Sequence, residues 1–140
     1  MTSNCFAICA ILALTVIQGI AANKLAYTAK STITDDPLYL SLGMGELFVL
    51  YEEIPGSGLV LANYDGQSGV LNADDIIETS MPYGTPAYLL KSVAGGEGWL
   101  QAPENHIVRI VEKTSANNWI VYDSYGNYGY VDGRNLEIMY

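Results

Sequence analysis

A chain of 140 residues is long enough for one domain or for two very small ones. Fifteen acidic residues against six basic ones give a net charge of −9, which argues against nucleic-acid binding because phosphate contacts need clustered lysines and arginines. The same charge argues against docking on an anionic membrane surface. Half of the residues are hydrophobic, so the chain can bury a core, and 14 glycines and 11 tyrosines favour short strands and tight turns.

The first 22 residues form an apolar leader. No charged side chain occurs from Cys5 to Ala22, and Gly19 and Ala21 supply the small residues that a signal peptidase needs. We therefore predict a signal peptide over residues 1–22, a secreted or periplasmic location, and no stable membrane span after cleavage. The alternative is an uncleaved anchor, for which the apolar run is slightly short. Both cysteines lie in the leader, so the mature chain would have no disulfide and no thiol nucleophile.

After a predicted linker over residues 23–32, the chain shows short apolar strands separated by turns, and no sustained helical period. The predicted first repeat covers residues 33–80 and contains the apolar segments 47–51 and 59–64. Asp65-Gly66 is typical of a two-residue hairpin, because a type I′ turn needs positive φ at both positions. This pattern predicts an all-β fold.

The same order of strands and turns recurs 60 residues later without a gap, which predicts a second repeat over residues 81–140. The identical pairs in this alignment are Glu52/Glu112, Gly66/Gly126 and Gly69/Gly129. Upstream, Pro37-Leu-Tyr-Leu aligns with Pro86-Ala-Tyr-Leu at an offset of 49, which places eleven extra residues before Ile107 in the second repeat. We interpret the mature chain as two diverged copies of one module.

The second repeat resembles a bacterial SH3 domain. Asn118-Trp-Ile-Val-Tyr-Asp, followed by Tyr125-Gly-Asn-Tyr-Gly-Tyr-Val-Asp-Gly-Arg-Asn-Leu136, is similar to that family's pattern of a Trp-led strand, a Gly hairpin and a Gly-aromatic-Val strand before a short helical turn. The resemblance implies two tandem, small, five-stranded SH3-like barrels, the first of them degenerate. Asp132 and Asn135 replace the Pro and Tyr of the eukaryotic peptide groove, so it does not imply polyproline binding.

Aromatic residues of the second repeat are the candidate ligand-binding residues. Strand alternation places Trp119 and Val121 on one face and Ile120 and Tyr122 on the other. Tyrosine and tryptophan combine a large contact area with a polar group, which suits recognition, although the same rings could instead close the core or pack against the other repeat. The candidates are Trp119, Tyr122, Tyr125, Tyr128 and Tyr130; the alignment places Leu59, Ser68 and Val70 opposite Trp119, Tyr128 and Tyr130.

The first repeat is acidic. Between residues 33 and 80 there are nine acidic residues and no basic one, which predicts an acidic surface with the candidates Glu52, Glu53, Asp74 and Asp75. These residues could be solvated turn carboxylates, or they could face a basic protein partner. We predict no metal site, because the Asp-x-Asp-x-Asp-Gly pattern of calcium loops is absent from the sequence.

We predict neither an enzyme nor a cofactor. The mature chain has one histidine, His106, which we expect to be a solvated loop residue, and the sequence has no Gly-x-Ser-x-Gly elbow. The resemblance favours an exported, non-catalytic module that recognises a cell-wall peptide or glycan, or an envelope or extracellular protein partner, through the second repeat. The alternative is a structural or inhibitory interaction protein whose acidic first repeat meets a basic protein partner.

Overall fold

The structure is a computed structural model that describes residues 23–81 and 83–140. The predicted signal peptide lies outside these residues. Within them the fold is all-β, as predicted, with twelve strands in two sheets and two one-turn 3-10 helices. No helix in the described part of the chain has the length and apolar character needed to cross a membrane.

The first sheet contains five antiparallel strands in the order β4-β3-β2-β1-β5. A 3-10 helix over Ala73–Asp75 precedes its last strand. The stretch 23–32, predicted as a linker, holds the strand β1, whose Leu25 and Ala26 are fully buried between β2 and β5. That part of the domain prediction is therefore wrong. The strands are Lys24–Thr28 (β1), Leu47–Ile54 (β2), Leu59–Tyr64 (β3), Gln67–Asn72 (β4) and Ile76–Thr79 (β5).

The second sheet contains seven strands in the order β12-β6-β9-β10-β11-β8-β7, with a 3-10 helix over Gly133–Asn135. Its extra strands, β7 and β8, form a hairpin that meets β11 in parallel, with Trp99 opposite Tyr130. The strands are Thr85–Leu89 (β6), Val93–Gly96 (β7), Trp99–Ala102 (β8), Ile107–Lys113 (β9), Asn118–Asp123 (β10), Tyr128–Asp132 (β11) and Leu136–Ile138 (β12). In the described residues neither sheet closes on itself by strand pairing, so the predicted pair of five-stranded barrels is confirmed only as an all-β fold with two sheets.

The strand registers define two corresponding units, residues 23–80 (the first unit) and residues 83–140 (the second unit). Ala26 of β1 lies opposite Phe48, and Ala87 of β6 lies opposite Val108. Val108 follows Phe48 by 60 residues, whereas Ala87 follows Ala26 by 61. The strand β6 therefore corresponds to β1 with an offset of 61. The alignment of Pro37 with Pro86, and the eleven-residue insertion that followed from it, are therefore wrong.

One further position of the alignment is shifted by one residue. Val60 lies opposite Leu71, and Trp119 lies opposite Val131, so the counterpart of Trp119 is Val60 rather than Leu59. The cause is the hairpin that follows each of these strands. In the first unit, the loop consists of Asp65 and Gly66 with φ of 53° and 86°, which agrees with the predicted type I′ turn. In the second unit, the loop has the three residues 124–126, of which only Gly126 has a positive φ.

Each unit has its own apolar core, and a third cluster joins the two units. In this joining cluster, Leu25, Leu47 and Val49 of the first unit pack against Ile120 and Tyr130 of the second. Two side-chain amides also cross the boundary: Asn63 donates to the Glu97 carbonyl at 3.0 Å, and Asn118 donates to the Asp65 carbonyl at 2.9 Å. The two repeats thus pack together, as expected for modules near the lower size limit for independent folding.

Candidate functional site

Tyr130, one of the predicted ligand-binding residues, lies between the two units. Its side chain is 0% exposed and belongs to the joining cluster. The hydroxyl is near the Asp65 backbone and the Thr114 hydroxyl but has hydrogen-bond geometry with neither, and burial raises the pKa of Tyr130 to about 12. This ring therefore contributes packing between the units.

Trp119 packs mainly inside the second unit. It lies half-buried against the core that contains Val121, while Ile120 points into the joining cluster, so the predicted alternation is confirmed. A Cβ atom on Gly133 would lie 2.4 Å from the indole ring, and the Lys113 ammonium lies 4.6 Å from the ring centroid. The indole is thus held by glycine backbone and by a cation–π contact.

Tyr122 and Tyr128 form a pair on the sheet surface. Their ring centroids are 5.4 Å apart with planes tilted by 38°. Tyr128 also packs against the joining cluster, and its hydroxyl accepts a hydrogen bond from the Met81 backbone amide at 3.4 Å. Both rings are half-buried.

Tyr125 is the exposed member of the predicted set. Its side chain is 80% exposed and its ring stacks on His106, with centroids 6.2 Å apart and planes within 16°. His106 is 19% exposed and lies 3.4 Å from the buried Asp123 carboxylate, so the expectation of a solvated histidine is wrong. The other oxygen of Asp123 accepts the backbone N–H groups of Tyr125 and Asn127, which fixes the hairpin tip.

The predicted acidic surface is partly neutralised by lysines of its own unit. The Lys24 ammonium lies 3.7 Å from Glu53 and 3.6 Å from Glu78, and the Lys30 ammonium lies 3.2 Å from Asp75. Both lysines precede residue 33, where the acidic stretch begins, and they enter the first unit because β1 belongs to it. Glu52 and Asp74 are exposed. Among the described residues, no group of three or more His, Cys, Asp and Glu side chains could hold a metal ion.

A groove of about 550 Å³ opens in the second unit between the β7–β8 hairpin and the 3-10 helix; we call it the second-unit groove. Its walls are largely apolar and include Leu90, Val93, Leu100 and Val131. Sequence analysis singled out Asp132 and Asn135 as groove positions but not the hairpin residues that face them. The remaining lining residues are Lys91, Ala94, Gly95, Trp99, Tyr130, Asp132, Arg134 and Asn135.

Asn135 is the most unusual residue of the second-unit groove. It is only 6% exposed, and its Nδ2 donates to the Lys91 carbonyl at 3.2 Å. Because a carbonyl can only accept, that bond fixes the orientation of the amide and leaves Oδ1 as an acceptor. Oδ1 is buried and has no hydrogen-bond partner in the described part of the chain.

Two of the charged groups at the end of the groove, those of Arg134 and Asp132, form hydrogen bonds with each other. Arg134 Nη2 and Nε donate to the two oxygens of Asp132 at 2.7 and 3.0 Å, and the backbone N–H of Arg134 donates to the same carboxylate at 2.9 Å. These bonds hold the pKa of Asp132 down at about 2. Lys91 is exposed and makes no salt bridge among the described residues.

The first unit has a smaller groove of about 300 Å³ at the corresponding place; we call it the first-unit groove. Six of its lining residues stand 60 positions before lining residues of the second-unit groove. These pairs are Ile33 and Val93, Thr34 and Ala94, Tyr39 and Trp99, Leu71 and Val131, Asn72 and Asp132, and Asp75 and Asn135.

A larger cleft, of about 820 Å³, lies between the units. Tyr51 and Glu52 of the first unit face Glu97, Trp99 and Gln101 of the second across it. None of its lining residues carries a buried polar atom without a partner in the described chain, so the cleft lacks the feature that marks the second-unit groove.

Comparison with known proteins adds little. Neither protein-family models nor curated proteins match the chain. Among solved structures, that of NlpC1 from Trichomonas vaginalis aligns with a TM-score of 0.38 and 14% sequence identity. The alignment covers 83% of this chain and 46% of NlpC1, so this chain spans less than half the length of that protein. A similarity this weak supports no statement about function.

Proposed function

We propose that this chain is an exported, non-catalytic binding protein with two SH3-like units, and that its second unit recognises a cell-wall peptide or glycan, or an envelope or extracellular protein partner. The strand order supports the SH3-like assignment. In each unit the first strand pairs with the last strand and with a second partner, β2 for β1 and β9 for β6, and a one-turn 3-10 helix precedes the last strand.

The observation that carries the binding proposal is the second-unit groove itself, whose largely apolar walls include the exposed side chain of Leu90. A groove with apolar walls and a few polar groups is the usual form of a ligand site, and about 550 Å³ falls in the usual range. Apolar groups of a ligand would fill the groove.

A substitution at Leu90 tests this proposal. Leu90 is exposed and lines the groove, so Leu90→Glu should keep the fold and weaken retention by the source cell's envelope fraction at least about tenfold. Leu38→Glu is the matched control, because Leu38 is an exposed leucine in the loop of the first unit. Circular dichroism checks the fold of both variants.

The same retention assay distinguishes binding through the groove from the alternative, in which the acidic surface of the first unit binds a basic partner. Glu52 and Asp74 are exposed carboxylates outside the ion pairs formed by Lys24 and Lys30. If Glu52→Gln with Asp74→Asn released the protein while Leu90→Glu left it bound, a basic partner on the first unit would replace the groove as the explanation.

A further inference from the structure

The cleft between the units, which we call the inter-unit cleft, carries negative charge without a cation. Glu52 of the first unit and Glu97 of the second line it, and both residues are exposed. Neither forms a salt bridge among residues 23–81 and 83–140. No lysine, arginine or histidine of those residues lines the inter-unit cleft. The two carboxylates therefore border this space without a neutralising side chain.

The basic side chain at the start of β1 is already paired. The Lys24 ammonium lies 3.7 Å from the Glu53 carboxylate and 3.6 Å from that of Glu78. Neither of these glutamates lines the inter-unit cleft. Lys24 therefore neutralises carboxylates outside the cleft and leaves those of Glu52 and Glu97 unpaired.

Asn23, the residue before β1, also lines the inter-unit cleft. In the β1–β2 pair Lys24 lies opposite Leu50, and one further step of this register places Asn23 beside Tyr51, another lining residue. Leu25, two residues after Asn23, is fully buried. Because Leu25 anchors the start of β1, the fold itself holds the Asn23 backbone at the cleft.

Tyr51 lies next to both segments that carry the unpaired carboxylates. Glu52 follows it in β2, and a Cβ atom on Gly98, the residue after Glu97, would lie 3.3 Å from Cδ1 of the Tyr51 ring. The Glu97 carbonyl accepts a hydrogen bond from Asn63 Nδ2 at 3.0 Å, which holds this hairpin tip on the first unit. Glu52 and Glu97 therefore both lie near the residue beside which the chain enters β1.

Removal of the predicted leader changes the chemistry of the Asn23 nitrogen. The leader, residues 1–22, lies outside the described residues, and while it is attached this nitrogen belongs to an uncharged amide. Hydrolysis of the peptide bond between residues 22 and 23 consumes one water, leaves a carboxylate on the leader and frees the nitrogen as an α-amine. An α-amine has a pKa of about 7.7–8.0 and is therefore mostly protonated at neutral pH. Cleavage thus creates a positive charge at the inter-unit cleft.

We infer that the α-ammonium of Asn23, formed when the leader is removed, pairs with Glu52 and Glu97 in the inter-unit cleft. An ammonium has three N–H donors and can serve two carboxylates at once. Because one glutamate belongs to each unit, the pairing adds an electrostatic link to the apolar cluster that joins the units, and only the processed chain can form it. The inference goes beyond ligand binding and rests on the proposed function in one respect, that the chain is exported and loses its leader.

Titration of the α-amine tests the pairing. The mature protein, starting at Asn23, is labelled on its amines by reductive ¹³C-methylation and followed by NMR. The Asn23 midpoint should lie at least about 0.5 pH units higher in the wild type than in the variant with Glu52→Gln and Glu97→Gln, because a nearby carboxylate favours the charged amine.

The matched control is the variant with Glu53→Gln and Glu78→Gln, which also loses two carboxylates, neither of them in the inter-unit cleft. It should lower the Asn23 midpoint by less than half as much. Equal midpoints in the wild type and the Glu52→Gln, Glu97→Gln variant, or an equal effect of the control substitutions, would overturn the inference.

Acetylation of the α-amine tests the effect on the junction. At about pH 6.5 it should lower the midpoint temperature of unfolding of the mature protein by about 1–4 °C, and that of the Glu52→Gln, Glu97→Gln variant by less than about 1 °C. The pairing raises the pKa of the folded amine above its unfolded value, so its contribution is complete below about 7.7 and is lost as the pH rises through the folded value. The difference between the free and the acetylated wild type should therefore disappear by about pH 10. A difference that persists in the variant or at that pH contradicts the inference.

Intact-mass analysis and the retention assay keep this inference apart from the proposed function. The secreted protein should have the mass of a chain that starts at Asn23; a chain that keeps residues 1–22 overturns both the inference and the processed, exported state on which it rests. If the mass is as expected but the amine titrates alike in the wild type and the Glu52→Gln, Glu97→Gln variant, the inference is wrong, and the Leu90→Glu comparison still decides whether the second-unit groove binds a ligand.

Discussion

The two units repeat the same strand order but bury different outer faces. The first unit packs against its neighbour with Leu47 and Val49 of β2, whereas the second unit uses Ile120 and Tyr130 of β10 and β11. The packing is therefore head-to-tail rather than two-fold symmetric. Two units with the same core strand order thus present different residues at their junction.

The face of the second unit that corresponds to the junction face of the first also differs in residue type. The counterparts of Leu47 and Val49 in the second unit are Ile107 and Arg109, both exposed. A charged Arg109 in place of Val49 is incompatible with a further copy packing in the same way, because burying an unpaired guanidinium is costly. At the joining face, Tyr130 stands where the first unit has Val70, so part of the aromatic enrichment of the second unit serves the junction.

The largest effect is expected from Tyr130→Ala. Removing a fully buried ring at the junction should lower the free energy of unfolding by about 3–5 kcal/mol, measured by urea denaturation followed by circular dichroism. Because the joining cluster contains residues of both units, the unfolding transition should stay single and shift as a whole.

Two controls sharpen this comparison. Tyr130→Phe should change stability by less than about 1 kcal/mol, since the buried hydroxyl that it removes has no hydrogen-bond partner among residues 23–81 and 83–140. Val70→Ala, at the corresponding half-buried position, should cost less than Tyr130→Ala. Two separate transitions in the wild-type protein would show that the units fold independently, and equal losses from Tyr130→Ala and Val70→Ala would contradict the larger contribution of Tyr130 to the junction.

A smaller effect is expected at the glycines that the units share, Gly69 and Gly129. At both positions a segment of the preceding loop crosses the strand. A Cβ atom on Gly129 would lie 2.5 Å from the backbone nitrogen of Leu100, whereas one on Gly69 would lie 2.8 Å from Cγ of the Leu40 side chain. Backbone yields less than a leucine side chain, so Gly129→Ala should be the more damaging substitution.

Overpacking of this kind costs about 1–3 kcal/mol, and we expect Gly129→Ala near the upper end and Gly69→Ala near the lower. Thermal unfolding monitored by circular dichroism gives both values under one set of conditions. A larger loss from Gly69→Ala would contradict the assignment of the tighter crossing to the second unit.

Sequence reasoning succeeded where the determining chemistry is local. Asp65-Gly66 predicted its hairpin correctly because positive φ is a property of the two residues themselves. It missed β1, a five-residue strand whose partners in β2 and β5 are distant in sequence, and it misplaced Trp119 by one residue because the two hairpin loops differ in length.

The candidate site was harder to predict, because its parts come from distant segments. Asn135 and Lys91 are 44 positions apart in sequence and meet only when β12 pairs with β6. The departure of Asn135 from the SH3 pattern marked the position but not its partner. Of the predicted aromatic residues, Tyr125 alone presents an open face, since burial of the others depends on packing that periodicity does not specify.

The smallest expected effect concerns the residue before each 3-10 helix, Asn72 in the first unit and Asp132 in the second. The Asn72 side chain makes no capping hydrogen bond, whereas the Asp132 carboxylate accepts from the backbone and the guanidinium of Arg134. These bonds favour the charged form and lower the pKa of Asp132 to about 2. Its contribution to stability should therefore be complete above the unfolded-state value of about 3.9 and should be lost as the pH falls through about 2.

A carboxyl-detected NMR titration should give a midpoint near 2 for Asp132, and Arg134→Gln should move that midpoint up towards about 3.9. Because the carboxylate is partly exposed, the effect on unfolding should be small. A wild-type midpoint near 4 would mean that the Arg134 contact does not persist in solution. The 3-10 helices that precede the last strands of the two units would then not differ in capping.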